Sequence, residues 1–160
     1  MTLRMLEGFI QRDEINAIHV GSDRYEALLR GEVAAATLME PWISLAEKQG
    51  GRVIMESHYL SSDISGPELD QETWNAINRA IRKAVKRIND DKRKYMHYLI
   101  DQIPPHLGTL EPDDMNFHRL RYIDPQPYTE TEFKESYDWM LSWGLAAPGA
   151  RYEQLVENRV

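Results

Sequence analysis

An α/β fold is predicted by three short β-rich runs at 15–20, 33–39 and 52–56, by amphipathic helical patterns between them, and by glycines where each helix should stop. Strand, helix, strand, helix, strand at this spacing makes a right-handed parallel crossover unit the expected connection. A helical carboxyl-terminal region should follow that short parallel sheet.

Taken in order, Leu3, Leu6 and Ile10 already sit at helical spacing with no cap signal before them, as if the chain entered a fold partway. The run Ile15 to Val20 is β-rich and closes on Gly21. Ser22 or Asp23 can cap a helix through Tyr25, Leu28 and Leu29 that stops at Gly31. Val33 to Met39 is a near-continuous apolar run of small residues, suited to a buried parallel strand, although alanine alone favours helix. Pro41 suits the first position of a helix through Ile43, Leu45 and Ala46 to Gln49, ended by Gly50 and Gly51. Arg52 to Glu56 reads as the third strand.

Residues 1–57 thus form one α/β unit, and the polar, turn-rich stretch 58–70, with Ser61, Ser62, Asp63, Gly66 and Pro67, reads as a linker or crossing. Residues 71–160 are predominantly helical. Trp74, Ile77, Ile81, Ala84, Val85 and Ile88 make one stripe at steps of three and four, with Arg79, Arg82, Lys83, Lys86 and Arg87 opposite. A helix over 92–103, with Tyr95, Leu99 and Ile103 on one face, must end at Pro104-Pro105. Residues 106–128 read as irregular with a short helix near Asp113 to Leu120. Thr129 with Glu132 three residues later is a capping box, opening a helix that turns Phe133, Tyr137, Met140 and Leu141 inward and ends before Gly144.

The chain of 160 residues has no cysteine, which excludes disulfides, thiolate metal sites and cysteine nucleophiles. Its 42% apolar and 28% charged composition is that of a folded chain, and no stretch approaches 18 apolar residues, so no membrane-spanning segment is expected. A net charge of −7 argues against a generally basic nucleic-acid binder. Between positions 79 and 94, eight basic residues stand against Asp90 and Asp91, a net +6. Because they lie opposite the apolar stripe with no interleaved aromatics, they read as a solvated face rather than a stacking platform, and no nucleic-acid partner is expected.

The five histidines include no pair four apart, the spacing that brings two imidazoles to one zinc. His97 and Asp101 have that spacing, but read as a local helix-surface contact. Ser44, Ser57, Ser61 and Ser65 lack a nucleophile-elbow context, and Gly21, Gly31, Gly50 and Gly51 each end an element instead of forming a phosphate loop. No metal, cofactor or catalytic constellation is therefore expected. Glu40-Pro41-Trp42 is the most suggestive local feature. A carboxylate where an apolar strand gives way to a helix lies at the carboxyl edge of a sheet, where open α/β folds bind ligands; it also suits a helix cap, and both readings stand. Trp42 can stack on a ligand or pack inward.

The stretch from Ser22 to Ile54, with its helix ending Leu28-Leu29-Arg30-Gly31, the Val33 to Met39 run, the Glu40-Pro41 turn and Gly50-Gly51-Arg52-Val53-Ile54, resembles the second lobe of the ABC-transporter solute-binding family that carries thiamine pyrimidine precursors, alkanesulfonates, taurine and nitrate. Thr73 to Asn89, Thr129 to Leu145 and the tail from Tyr152 are similar to that family's later helices. Ala34 stands where the family usually has aspartate. The resemblance implies a partial type II periplasmic-binding-protein fold, of which this chain would be the carboxyl-terminal half. It implies a small-solute-binding component of an ABC-type uptake system, with Met39, Glu40, Pro41 and Trp42 at the cleft edge. Glu40 would accept a hydrogen bond from the solute, and Trp42 would wall it. The implied partners are a thiamine precursor, sulfonate or similar solute and an ABC permease.

The implied location is periplasmic or cell-surface, or cytoplasmic if the chain as given is the complete product, since it shows no signal peptide. Thiamine-pyrimidine-synthase-like enzymes are a related alternative, but their cysteine-rich motif is absent, so no enzyme is expected. A stand-alone oligomerising module is the other alternative. Helical stripes lacking their full sheet should associate, so a homo-oligomer is expected.

Overall fold

The computed structural model describes residues 2–61, 66 and 68–159. The helices are α1 (Thr2–Leu6), α2 (Arg24–Leu29), α3 (Trp42–Lys48), α4 (Gln71–Asp90), α5 (His97–Ile100), α6 (Glu130–Ser142) and α7 (Tyr152–Leu155). Single 3₁₀ turns occupy Arg12–Glu14, Arg93–Tyr95 and Pro112–Asp114. Among the described residues no helix is long and apolar enough to cross a membrane.

The predicted sheet is absent: among the described residues there is no β-strand. This overturns the α/β assignment, and with it the short parallel sheet and the periplasmic-binding-type fold implied by the resemblance. Each of the three β-rich runs is instead irregular backbone. Val33 and Ala34 fall in the bend after Gly31, and 15–20, 35–39 and 52–59 run on without a ladder. A strand exists only where a neighbour completes its hydrogen bonds, and among the described residues these segments donate none to other backbone groups beyond Ile15 N to Arg12 O. Nor are they buried as a central parallel strand must be, since Ile18 and Met39 are exposed and Ile54 is 70% exposed. Ala34, Ala35 and Ala36 supply little β preference of their own.

The helix stops follow the sequence more closely. Gly31, Gly50 and Gly144 all take positive φ just past α2, α3 and α6. At the end of α2, Glu32 N donates to Ala27 O (2.9 Å) and Gly31 N to Leu28 O (3.1 Å), the paired bonds of a left-handed helix stop. Leu145 N to Met140 O (2.9 Å) and Gly144 N to Leu141 O (3.0 Å) repeat the arrangement after α6. The Thr129 box forms as well: Glu132 N donates to Thr129 Oγ1 (3.3 Å) and Thr129 N to Glu132 Oε2 (2.8 Å). The helix expected over 92–103 is broken into a 3₁₀ turn and the single-turn α5, and the residue it buries deepest is Met96, off the expected face. The helix expected near 113–120 shrinks to the turn at Pro112–Asp114. Of the turn signals between 58 and 70, Ser62, Asp63 and Pro67 lie outside the described residues, as does Ser65 among the serines considered above.

The chain divides into two compact units, each made of two segments: Met1–Tyr59 with Asp91–Arg121, and Leu60–Asp90 with Tyr122–Val160. The first holds the buried apolar side chains among the described residues, Tyr25, Ala27, Leu45, Met96, Ile103, Leu110, Met115 and Leu120, together with Pro41. In the second, the stripe of α4 is half-buried and the residue buried furthest is polar Asn78, whose Nδ2 donates to Arg159 O (2.6 Å). An aromatic cluster joins α6, α7 and the preceding loop. Phe133 stacks on Tyr137 (5.6 Å) and meets Tyr152 edge-on (5.9 Å), while Tyr152 Oη donates to Tyr128 O (2.6 Å). The basic residues of α4 are exposed, and of the five only Lys86 has an acidic partner among the described residues, Asp90.

Candidate functional site

The turn 39–42 starts α3 and belongs to the first unit. Met39 O accepts from Trp42 N (2.9 Å) and Ile43 N (3.2 Å), which winds the first turn of the helix around a cis Glu40–Pro41 peptide. Pro41, expected at the first helical position, sits instead at the cap position, one residue before α3 begins at Trp42, and is fully buried. The Tyr25 ring of α2 packs on Trp42 at 5.5 Å, and Tyr25 Oη donates to Gln49 Oε1 (2.6 Å). Burial pushes the Tyr25 phenol above its ordinary range. Gln49 in turn donates through Nε2 to Leu107 O (2.6 Å), bringing the loop of 104–108 against α3. Gly108 lets that loop approach, because its φ is +130° and a Cβ there would stand 2.7 Å from Gln49 Nε2 and 3.2 Å from Leu45 Cδ1.

Glu40 is committed on both oxygens. Its side chain is 4% exposed; Oε2 accepts from Ser44 N (3.1 Å), capping α3, and Oε1 meets Arg119 Nη1 at 3.3 Å. Arg119, its side chain 9% exposed, gathers three carboxylates from three stretches of chain. Nη1 and Nη2 fork onto Glu47 (2.6 and 3.1 Å) and Nε donates to Glu56 (2.8 Å). Hydrogen bonding to Glu47 first, then to Glu56 and Glu40, holds the guanidinium protonated far above its ordinary value despite desolvation. Reciprocally, Arg119 holds the Glu47 carboxyl below the usual carboxylate range. Arg119 had no local signature in the sequence. It lies in the irregular, proline-bounded stretch 106–128, and only the fold brings it across to α3.

Beside this turn lies an open cleft of about 460 Å³. Met39, Glu40 and Trp42 line it together with Leu38, Leu107 and the start of α2 from Gly21 to Glu26; Pro41 does not. The cleft therefore gathers three of the four residues singled out by the sequence, and adds Asp23, which the sequence marked only as a possible helix cap, and Arg24 and Glu26, which it did not mark. Arg24 is held by backbone carbonyls rather than by an acid: Nε donates to Gly21 O (3.1 Å) and Nη1 to Thr37 O (3.4 Å). Asp23 accepts from Ser22 Oγ (2.8 Å). Glu26 has His106 Nε2 at 3.7 Å.

His97 Nδ1 lies 3.0 Å from Lys94 O rather than on Asp101, and its ring packs on Tyr98. Among the described residues no group of three or more His, Asp or Glu is placed to hold a metal ion. No family model, curated protein or solved structure matches this chain.

Proposed function

We propose that the protein binds a small solute in the cleft beside Trp42. The observation that carries this reading is the cleft itself. Its volume of about 460 Å³ falls in the range of small-molecule sites. It also combines an aromatic wall, apolar sides and charged groups at its mouth, the mixture that binds and orients a solute. In this reading Trp42, with Leu38, Met39 and Leu107, supplies apolar contact. Glu40 fixes the floor, because its oxygens already serve Ser44 and Arg119. The biological setting we assign is the one implied by the resemblance, a solute-binding component of an ABC-type uptake system with a permease as partner.

Titration calorimetry against thiamine pyrimidine precursors, alkanesulfonates, taurine, nitrate and amino acids tests it. At least one should bind, and Trp42→Ala should weaken that binding while leaving the far-UV circular dichroism unchanged. A panel without a binder, or a Trp42→Ala protein that binds like the parent, would sink the proposal.

A second reading, homo-oligomerisation, is favoured by one observation: the irregular segments 15–20 and 52–59 combine backbone donors that, apart from Ile15, meet no backbone acceptor among the described residues with exposed Ile18, Ile54 and Tyr59. Light scattering at micromolar concentration should then show a dimer or larger species. A monodisperse monomer removes this reading and leaves the solute reading intact.

A further inference from the structure

The charged mouth of the cleft narrows the class of solute. Arg24, Asp23 and Glu26 all line the same cleft, yet Arg24 makes no ion pair with either acid or with any other side chain among the described residues. Arg24 is the one arginine among the residues lining the cleft, whereas Arg12, Arg30, Arg93, Arg119 and Arg159, which each hold a carboxylate, lie outside it. The Gly21 and Thr37 carbonyls position the Arg24 fork through Nε and Nη1 without neutralising it, so its positive charge and Nη2 remain available. Asp23 receives only the neutral Ser22 hydroxyl, and Glu26 has the His106 imidazole at 3.7 Å but no Lys or Arg within ion-pair range. One cation without an ion pair thus lines an apolar, aromatic-walled space together with two carboxylates that no Lys or Arg contacts directly among the described residues, their basic neighbours being His106 beside Glu26 and, at longer range, Arg30.

We infer that the solute is a zwitterion of the α-amino-acid type with an apolar or aromatic side chain. Its carboxylate would meet the Arg24 guanidinium, its ammonium would meet Asp23 and Glu26, and its side chain would lie along Trp42, Leu38 and Met39. A planar guanidinium fork matches a carboxylate, and an ammonium matches acceptor-only carboxylates. A singly charged ligand satisfies one side of the mouth and leaves the other facing a like charge or nothing.

This inference rests on the solute-binding reading, and a matched ligand set tests the two separately. By calorimetry L-phenylalanine should bind about tenfold or more tightly than phenethylamine or 3-phenylpropionate, each of which lacks one charge. Arg24→Gln should bring L-phenylalanine down to the level of phenethylamine, and Arg24→Lys should recover part of the difference. Asp23→Asn with Glu26→Gln should likewise erase the advantage over 3-phenylpropionate. Equal or tighter binding of either singly charged analogue, or selectivity untouched by Arg24→Gln in a protein of parental circular dichroism, overturns the zwitterion. So does failure of the amino acids while a sulfonate or a thiamine precursor binds, which leaves the solute reading standing. Absence of binding by every compound overturns both.

Discussion

The two units put their order in different places. The first has short helices of four to seven residues and long stretches of irregular backbone, but contains all the buried apolar side chains among the described residues. The second has the 20-residue α4 and the 13-residue α6, and its stripes are only half-buried. Regular hydrogen bonding and apolar burial are separate sources of stability, and a long helix does not by itself bring a dense core. In the first unit, side chains do what a backbone ladder would otherwise do. Gln49 bridges Tyr25 to the 107 carbonyl, Lys48 reaches Thr109 O (3.2 Å) and Asp114 (2.7 Å), and Arg119 ties α3 to Glu56. In the second unit many of the side-chain bonds are local instead: the Thr129 box, Lys86 to Asp90, Lys134 to Asp138.

The sharpest test of this contrast pairs one core residue from each unit. Leu45→Ala empties a site that is 1% exposed and should cost about 2–5 kcal/mol, whereas Ile81→Ala on the half-buried stripe of α4 should cost about half as much. Chemical denaturation of both variants measures the difference; equal losses would show that the second unit packs as densely as the first.

Removing the guanidinium comes next. Arg119→Leu leaves Glu40, Glu47 and Glu56 facing one another without their cation and should cost about 3 kcal/mol. That is the low end for a broken buried pair, because Glu47 and Glu56 are about two-fifths exposed and solvent screens them. A loss below about 1 kcal/mol, the scale of a surface pair, would mean that the network adds little to the first unit.

The pH dependence sharpens the same point. Carboxyls held below their usual range occur in both units: Glu47 by Arg119, Asp114 by the Glu111 amide and then Lys48, Asp70 by the Thr73 amide, Glu132 by the Thr129 hydroxyl. A carboxyl with a depressed folded pKa contributes its stability fully above its unfolded value, near 4, and loses it as pH falls through the folded value. The melting temperature should therefore be level from pH 7 to about 5 and fall below that. Arg119→Leu, lacking the group that depresses Glu47, should fall less steeply. A melting temperature that holds or rises below pH 4 would contradict the sign.

The smallest effect belongs to the most local device. Thr129→Ala removes the hydroxyl cap of α6 and should cost about 1 kcal/mol, with Thr129→Ser restoring most of it. If Thr129→Ala costs as much as Leu45→Ala, the second unit depends on its caps far more than the half-buried stripe implies.

What the sequence determined by itself was local: the Gly31, Gly50 and Gly144 stops, the Thr129 box, and α4 with its apolar and basic faces. Each is written within one or two helical turns, so neighbouring residues suffice to specify it. The sequence also marked Met39, Glu40 and Trp42, because a carboxylate and an aromatic at a helix start are visible without knowing what surrounds them. The sheet was misread for the complementary reason. A β-rich run such as 15–20 or 33–39 states a preference, but a strand forms only when a distant segment supplies the partner, and no local pattern guarantees one. Only the tertiary structure decided that Glu40 spends its oxygens on Ser44 and Arg119, that Arg119 lies 72 and 79 positions from the carboxylates it joins on α3 and at its start, and that Arg24 is left without an acid at the mouth of the cleft. Ion pairing across such separations depends on where the backbone carries the two ends, which charge and spacing along the chain do not encode.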